Sequence, residues 1–274
     1  MTDAAPRAQR IRGLSFKQEY SSSSNAVQNG SSLFQRMKAR VTGQGPTGGR
    51  NRAPSMVQEI GKELVPPKDE AVKDRITVVL DLDETLIYAR EGPLYARPGL
   101  EELMVFLKDN CEAIVWTAGV KAYAQAVVRN IDRHDAIRHT VYRHKKWFTG
   151  CAGYNKDLTL LGRDMDTTLI IENTPDCLRG NEGHGVLVSD YEGGELEDNT
   201  LIAILLLLKD LVHRRSVEGL TVPQYIQHSN FLSKQNIPTD VGNLMQCFCL
   251  DIANASLFQR QKETRVNKDL PAKK

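Results

Sequence analysis

The chain has 274 residues, 41% of them hydrophobic, with 36 Lys+Arg against 34 Asp+Glu, a length suited to one catalytic core with tails. Residues 1–70 hold 11 basic and 6 acidic side chains and the remainder 25 and 28, so the charge is +5 in the leading segment and −3 beyond it, which argues against nucleic acid as a partner. Five cysteines without paired spacing, no secretory leader before them, and a Cys247/Cys249 pair lacking further ligands exclude a disulfide framework and a tetrahedral zinc set; they point to an intracellular protein, nuclear or cytoplasmic, with a mitochondrial address left open.

From Met1 to about Lys68 the chain is rich in Ser, Gly, Gln and Arg, including Ser21 to Ser24 and Gly43 to Gly49. Such composition cannot bury enough apolar surface to offset the entropy of ordering, and residues 1–72 are predicted to be a disordered arm. Pro66 and Pro67 close it. The first strong strand is Ile76 to Leu80, an apolar run of the kind buried on both faces of a parallel sheet. Leu100, Leu103, Met104 and Leu107 then recur at helical spacing, and Ala113 to Trp116 forms a second strand. A further helix is read from Val120, Tyr123, Ala124, Val127 and Val128. Short apolar runs follow at Thr140 to Tyr142, Thr168 to Ile171 and Gly185 to Val188, and a helix at Asn199 to Arg214. This alternation predicts a parallel α/β sheet. The run Leu201 to Leu208 is cut off by Lys209 and Asp210, too short for a membrane span and suited to a core helix. A catalytic domain over residues 73–228 is expected, with 229–274 a C-terminal extension of unassigned structure; both tails are candidate surfaces for protein partners.

In open parallel sheets, ligands bind beyond the carboxyl ends of the strands. The first strand ends in Asp81-Leu82-Asp83-Glu84-Thr85, and strand alternation puts Asp81 and Asp83 on one side. Two carboxylates in one small space call for a shared proton or a hard, oxygen-seeking cation such as Mg²⁺. The second strand ends in Thr117-Ala118-Gly119 before a helix, where a hydroxyl and free amides suit a phosphate; Thr117 equally suits an N-cap. Ile171-Glu172-Asn173-Thr174 supplies further oxygen donors at a third strand end.

In this order, V-V-L-D-L-D-E-T-L, A-R-P-G-L, V-W-T-A-G, G-Y-N-K-D-L with L-G-R-D, and I-I-E-N-T-P resemble the haloacid dehalogenase superfamily, and within it the carboxy-terminal-domain, or NLI-interacting-factor-like, phosphatases. The resemblance spans about Ile76 to Leu211. It implies a Rossmann-like parallel sheet and an aspartyl-phosphate mechanism: Asp81 attacks phosphorus, Asp83 acts as acid and then base, and Thr85 braces the loop. Thr117, Ala118, Gly119 and Lys156 would hold the phosphoryl oxygens, and Asp81, Asp83 (through its carbonyl) and Asn173 would bind Mg²⁺.

Two departures carry expectations of their own. Glu172 stands where the family usually has aspartate, so a metal contact could be displaced. The segment Ile87 to Tyr95 is shorter than in members acting on the RNA polymerase II tail, which argues against that specificity. No cap domain fits before Thr117 or between Thr117 and Lys156, so an open, capless site acting on a phosphoprotein is expected, with the cluster Arg143, His144, Lys145 and Lys146 at its rim. The alternatives are a phosphatase-fold binding subunit without turnover, as in the mitochondrial inner-membrane translocase, and a small-molecule phosphatase.

Overall fold

The computed structural model describes residues 10–15, 63–90, 93–195 and 197–257. Ile76–Leu80 (β2) is buried along its whole length, and so is Cys111–Trp116 (β5). These runs of β-branched and other apolar residues find cover on both faces of a sheet. Val78, Leu80, Ala113 and Val115 enter one core, while Val79, Ile114 and Trp116 enter the other, as the two-residue period of a strand requires.

Five strands join these two. They are Ile137–Val141 (β6), Thr168–Glu172 (β7), Gly185–Leu187 (β8), Leu232–Pro238 (β9) and Leu244–Leu250 (β10), in the order β6-β5-β2-β7-β8-β10-β9. All neighbours run parallel except β9, which is antiparallel to β10 at the edge. The chain leaves β2 for β5 and β6, then returns to β7 on the other side of β2. This reversal opens a crevice at the carboxyl ends of β2, β5 and β7.

The helices Leu100–Asn110 (α1), Lys121–Ile131 (α2), Thr200–Glu218 (α3) and Val222–His228 (α4) bury their apolar stripes in one core cluster. The opposite face is covered by short segments instead, with Leu64, Val65, Trp147, Leu158, Leu161 and Leu178 over Val79, Ile114 and Ile170. No described helix is long and apolar enough to cross a membrane. Between Thr85 and α1 stands only the hairpin Ile87–Tyr88 (β3) and Pro93–Ala96 (β4), so the described part of the fold is capless, a mixed α/β architecture with a mainly parallel sheet as expected.

Two boundaries differ from the sequence reading. Residues 63–72, assigned to the arm, pack on the domain: Leu64 and Val65 are buried, the Leu64 amide donates to Leu160 O at 2.7 Å, and the Pro66 carbonyl accepts from Arg163 at 2.9 Å. Two apolar residues before a Pro-Pro step are too few to lift a polar window, yet they suffice to plug a core edge. Within the same arm, Arg10–Ser15 (β1) pairs antiparallel with β4 and makes a three-stranded sheet with the hairpin; residues 1–9 and 16–62 lie outside the described residues. At the other end, β9 and β10 extend the central sheet through residue 250, so the domain does not stop at residue 228.

A buried ion pair holds the end of the sheet remote from the crevice. Arg163 donates to both carboxylate oxygens of Glu112, which also accepts from Thr77 Oγ1 at 2.7 Å.

Candidate active site

The strand ends bring Asp81, Asp83, Thr85, Thr117, Lys156 and Asn173 into one crevice. The Asp81 amide continues the sheet by donating to Ile171 O at 3.0 Å, which fixes its carboxylate beside the end of β7. Lys156 is fully buried, and its ammonium donates to Asp81 Oδ1 at 2.6 Å, Glu172 Oε2 at 2.6 Å and the Trp116 carbonyl at 2.7 Å. All three ammonium hydrogens therefore have acceptors. Burial alone would lower the pKa of this lysine, but Asp81 and Glu172 hold it above the ordinary value.

Asp83 is half-buried and bonded at both oxygens, by Thr117 Oγ1 at 2.9 Å and by the Tyr123 hydroxyl. Desolvation, followed by the charge of Asp81, raises its pKa to about 6 against the pull of these two donors. The carboxyl group is thus poised to hold or release a proton near neutral pH. Next to it, Glu84 is buried, paired with Arg90 and in the left-handed region at φ 60°. Its pKa rises to about 7, with burial outweighing Arg90. A side chain at positive φ is a local strain of order 1 kcal/mol. The amide of Glu84 donates to Ile87 O at 2.7 Å and its carbonyl accepts from Tyr191 N at 2.8 Å, which holds the turn.

Thr85 Oγ1 donates to Asn173 Oδ1 at 3.2 Å, and Asn173 Nδ2 donates to Asp190 Oδ1 at 2.9 Å. Thr117 is not a helix cap, since α2 begins at Lys121 with Val120 as its N-cap. Its hydroxyl instead accepts the Gly119 amide at 2.9 Å while donating to Asp83. The Gly119 amide therefore seats the hydroxyl. Glycine is needed there because a Cβ would lie 2.7 Å from the Tyr123 ring. Arg143 lies against this loop, its Nε donating to the Ala118 carbonyl at 2.6 Å and its guanidinium stacked 4.6 Å over Phe148.

Glu172 has both oxygens engaged inside the protein: Oε2 by Lys156, and Oε1 by the amides of Asn173 at 3.1 Å and Thr174 at 3.0 Å. Its pKa is raised, first by burial and then by Asp81. The extra methylene lets the carboxylate curl back onto its own strand end and clamp the lysine.

Two carboxylates, Asp81 and Glu172, share the Lys156 ammonium, and Asp83 adds a third negative group close to Asp81. That excess of negative charge fits a divalent cation. No three His, Cys, Asp or Glu side chains converge as a ligand group among the described residues. A metal here would therefore rest on few protein oxygens, and the family resemblance implies those of Asp81, Asn173 and the Asp83 main chain, with water beside them. That is the habit of Mg²⁺.

Three contributors escaped the sequence reading. Tyr123 was read only as part of a helical stripe. Arg97, seen only within A-R-P-G, is fully buried and donates to the Thr85 carbonyl at 3.1 Å, the Ser189 carbonyl at 3.0 Å, Thr200 Oγ1 at 2.8 Å and both oxygens of Asp198. It ties the Asp81 loop to the segment after β8. Asp190, exposed just after that strand, obeys the same strand-end rule that selected Asp81 and Thr117.

The model of the family described as NLI interacting factor-like phosphatase matches residues 76–218. Phosphatase PSR1 of Saccharomyces cerevisiae is 28% identical over 175 residues, 57% of this chain and 40% of that protein. The human carboxy-terminal domain RNA polymerase II polypeptide A small phosphatase 2 is 28% identical over 172 residues, 55% of this chain and 62% of that protein. This chain spans less than two thirds of the length of either relative. Among solved structures, the fission yeast RNA polymerase II CTD phosphatase Fcp1 bound to beryllium fluoride is similar at a TM-score of 0.36 and 17% identity, covering 57% of this chain and 54% of that one. With a match that runs from the start of β2 to the end of α3, more than half its length, this chain belongs to the NLI interacting factor-like phosphatase family.

Proposed function

We propose that this chain is a Mg²⁺-dependent protein serine/threonine phosphatase working through a phosphoryl group carried on Asp81. The observation that supports it most is the contrast between two carboxylates two residues apart. Asp81 is bonded to the Lys156 ammonium at 2.6 Å, while Asp83 has a pKa raised to about 6 beneath two hydroxyl donors. The first suits a nucleophile anchored by a cation, the second an acid that becomes a base.

In the first step an Asp81 oxygen attacks phosphorus, the bond to the serine or threonine oxygen breaks, and Asp83 gives that oxygen its proton. In the second, Asp83 takes a proton from water as the water oxygen attacks phosphorus, releasing inorganic phosphate and free Asp81. To hold the phosphoryl oxygens beside the Ala118 amide, Lys156 exchanges one of its three acceptors and the Thr117 hydroxyl turns from Asp83, with the Gly119 amide still seating it. Thr85 orients Asn173. Mg²⁺, held by Asp81, Asn173 and the Asp83 carbonyl, would neutralise phosphoryl charge and align it for in-line transfer. The open crevice favours phosphate on a protein chain over a small metabolite. The human relative is named for the polymerase II tail; the short β3–β4 hairpin here favours other phosphoproteins.

Hydrolysis of p-nitrophenyl phosphate by the purified chain should require Mg²⁺ and cease with EDTA, and beryllofluoride with Mg²⁺ should form a stable adduct on Asp81, detected by fluorine NMR. Absence of both turnover and adduct would overturn the enzyme reading in favour of a binding subunit. Tyr123→Phe tests the acid. Removing a donor to ionised Asp83 raises its pKa further, so the alkaline limb of kcat/KM, where Asp83 loses the proton it must donate, should move to higher pH, with kcat down about tenfold. An unmoved limb would place the acid elsewhere.

A further inference from the structure

Beside the crevice lies a second recess. A cavity of about 330 Å³ is walled by Ser189, Thr200, Ser233, Gln235 and Asp251, with Ile252 beside them. It sits at the carboxyl ends of β8 and β10, where Cys249 is in register with Leu187. Its chain neighbour Asp190 accepts the Asn173 amide, and Arg97 fastens both Ser189 and Thr200 while holding the Thr85 carbonyl. The cavity and the catalytic crevice thus share a wall. A substrate chain lying across that shared wall can therefore present a flanking side chain to the cavity.

The chemistry of the recess differs from that of the crevice rim. Asp251 is the one charged group among the described residues lining it. Its oxygens each accept one bond from Asn254, at 3.0 Å, and retain lone pairs for another donor. Lys234, on the neighbouring strand, stacks over Phe248 at 5.0 Å and is not part of the lining. The loop that leads from Ser189 to α3 adds exposed Asp190, Glu192, Glu195 and Glu197. Across the crevice, by contrast, Arg143 lies on the Ala118 loop and Lys145 and Lys146 follow it, exposed. The mouth therefore has a cationic side, by the phosphate-holding loop, and an anionic side with a recess.

We propose that this recess receives a lysine or arginine side chain of the phosphopeptide and that Asp251 selects it, so that the enzyme prefers phosphoserine or phosphothreonine flanked by basic residues. The selection rests on the phosphatase reading, and it goes beyond it in naming the class of sequence dephosphorylated. The aliphatic stem of the basic residue lies along Ile252 while its head reaches Asp251, with the Ser233 and Gln235 side chains as further hydrogen-bond partners.

The test uses the full chain and a panel of fluorescent phosphonate peptides, unhydrolysable analogues of phosphoserine peptides, with Lys, Glu or Ala scanned through the positions on either side. Dissociation constants are read by anisotropy, and p-nitrophenyl phosphate turnover is followed separately. Peptides with lysine at one or two adjacent positions should bind about fivefold or more tightly than their glutamate counterparts, with the difference shrinking as salt is raised. Asp251→Asn should remove most of that preference, and Gln235→Lys, at an exposed position, should reverse it; neither should alter p-nitrophenyl phosphate turnover. Equal binding of lysine and glutamate peptides, or a preference untouched in both variants, overturns the selection. Loss of p-nitrophenyl phosphate turnover in the unmodified chain counts against the phosphatase reading alone, because the binding arm reports on the recess independently.

Discussion

Asp81→Asn is expected to abolish Mg²⁺-dependent phosphate release, by about 10⁴-fold or more, while leaving the protein at least as stable as the unmodified chain. The two halves of that expectation come from the same geometry. An asparagine oxygen still accepts from the Lys156 ammonium, so the side chain keeps its place, but a neutral amide is a poor nucleophile toward phosphorus. The unmodified crevice buries Asp81 and Glu172 around one lysine, at 2.6 Å from each. Removing one of those charges leaves a balanced Lys156–Glu172 pair and relieves the repulsion that, after burial, raises the pKa of Glu172. Phosphate release by malachite green and unfolding in urea, on a preparation checked by mass spectrometry for deamidation, read both. Undiminished turnover would falsify the assignment of Asp81 as nucleophile. A marked loss of stability would show instead that its charge is structural.

Lys156→Met should do the opposite to stability and the same to turnover. The substitution strips the shared ammonium from two carboxylates and from the Trp116 carbonyl. Breaking a buried pair in this way costs about 3–5 kcal/mol. Glu172, whose pKa burial and Asp81 already raise, loses the ammonium that opposes them and its pKa climbs further, so the penalty is largest at neutral pH and fades as pH falls and it binds a proton. Urea titrations at pH 7 and pH 5 test the sign, and the double variant with Glu172→Leu should recover part of the loss, because it removes one of the two charges left without a partner. A penalty under about 1 kcal/mol at pH 7 would mean that Lys156 is not the keystone of the site.

Much of this site was legible because its residues stand at strand ends, where an apolar run stops abruptly at a polar one. Asp81, Thr117 and Asn173 each follow such a run, and the parallel sheet they imply is the one observed. Lys156 has no such context. It sits in a loop, and only its resemblance to a family pattern singled it out. Tyr123 was hidden for a different reason, since its ring belongs to the buried stripe of α2 and only the hydroxyl reaches Asp83. Glu172 was read as a source of doubt about a metal. Its observed role, clamping Lys156 and two strand-end amides, depends on the length that raised the doubt.

Of the two C-terminal strands, β9 was illegible because edge strands are selected to look unlike core. Lys234, Gln235 and Asn236 in β9 face solvent, as suits an edge that must not recruit another chain. β10 lies inside the sheet but mixes buried, half-buried and exposed positions without clean alternation.

The position of β10 also sets an order of events during synthesis. β7, the strand that ends at Glu172, is flanked outward by β8, only three residues long, and β8 has no outer partner until residues 244–250 arrive. A nascent chain still held in the ribosomal tunnel short of that point carries Asp81, Lys156 and Asn173 but an unfinished sheet with an open edge. Long-range parallel pairing is slow and leaves such edges exposed while it waits. The central sheet therefore cannot close until residues 244–250 have emerged, and until then the edge of β8 is open to pairing with another strand.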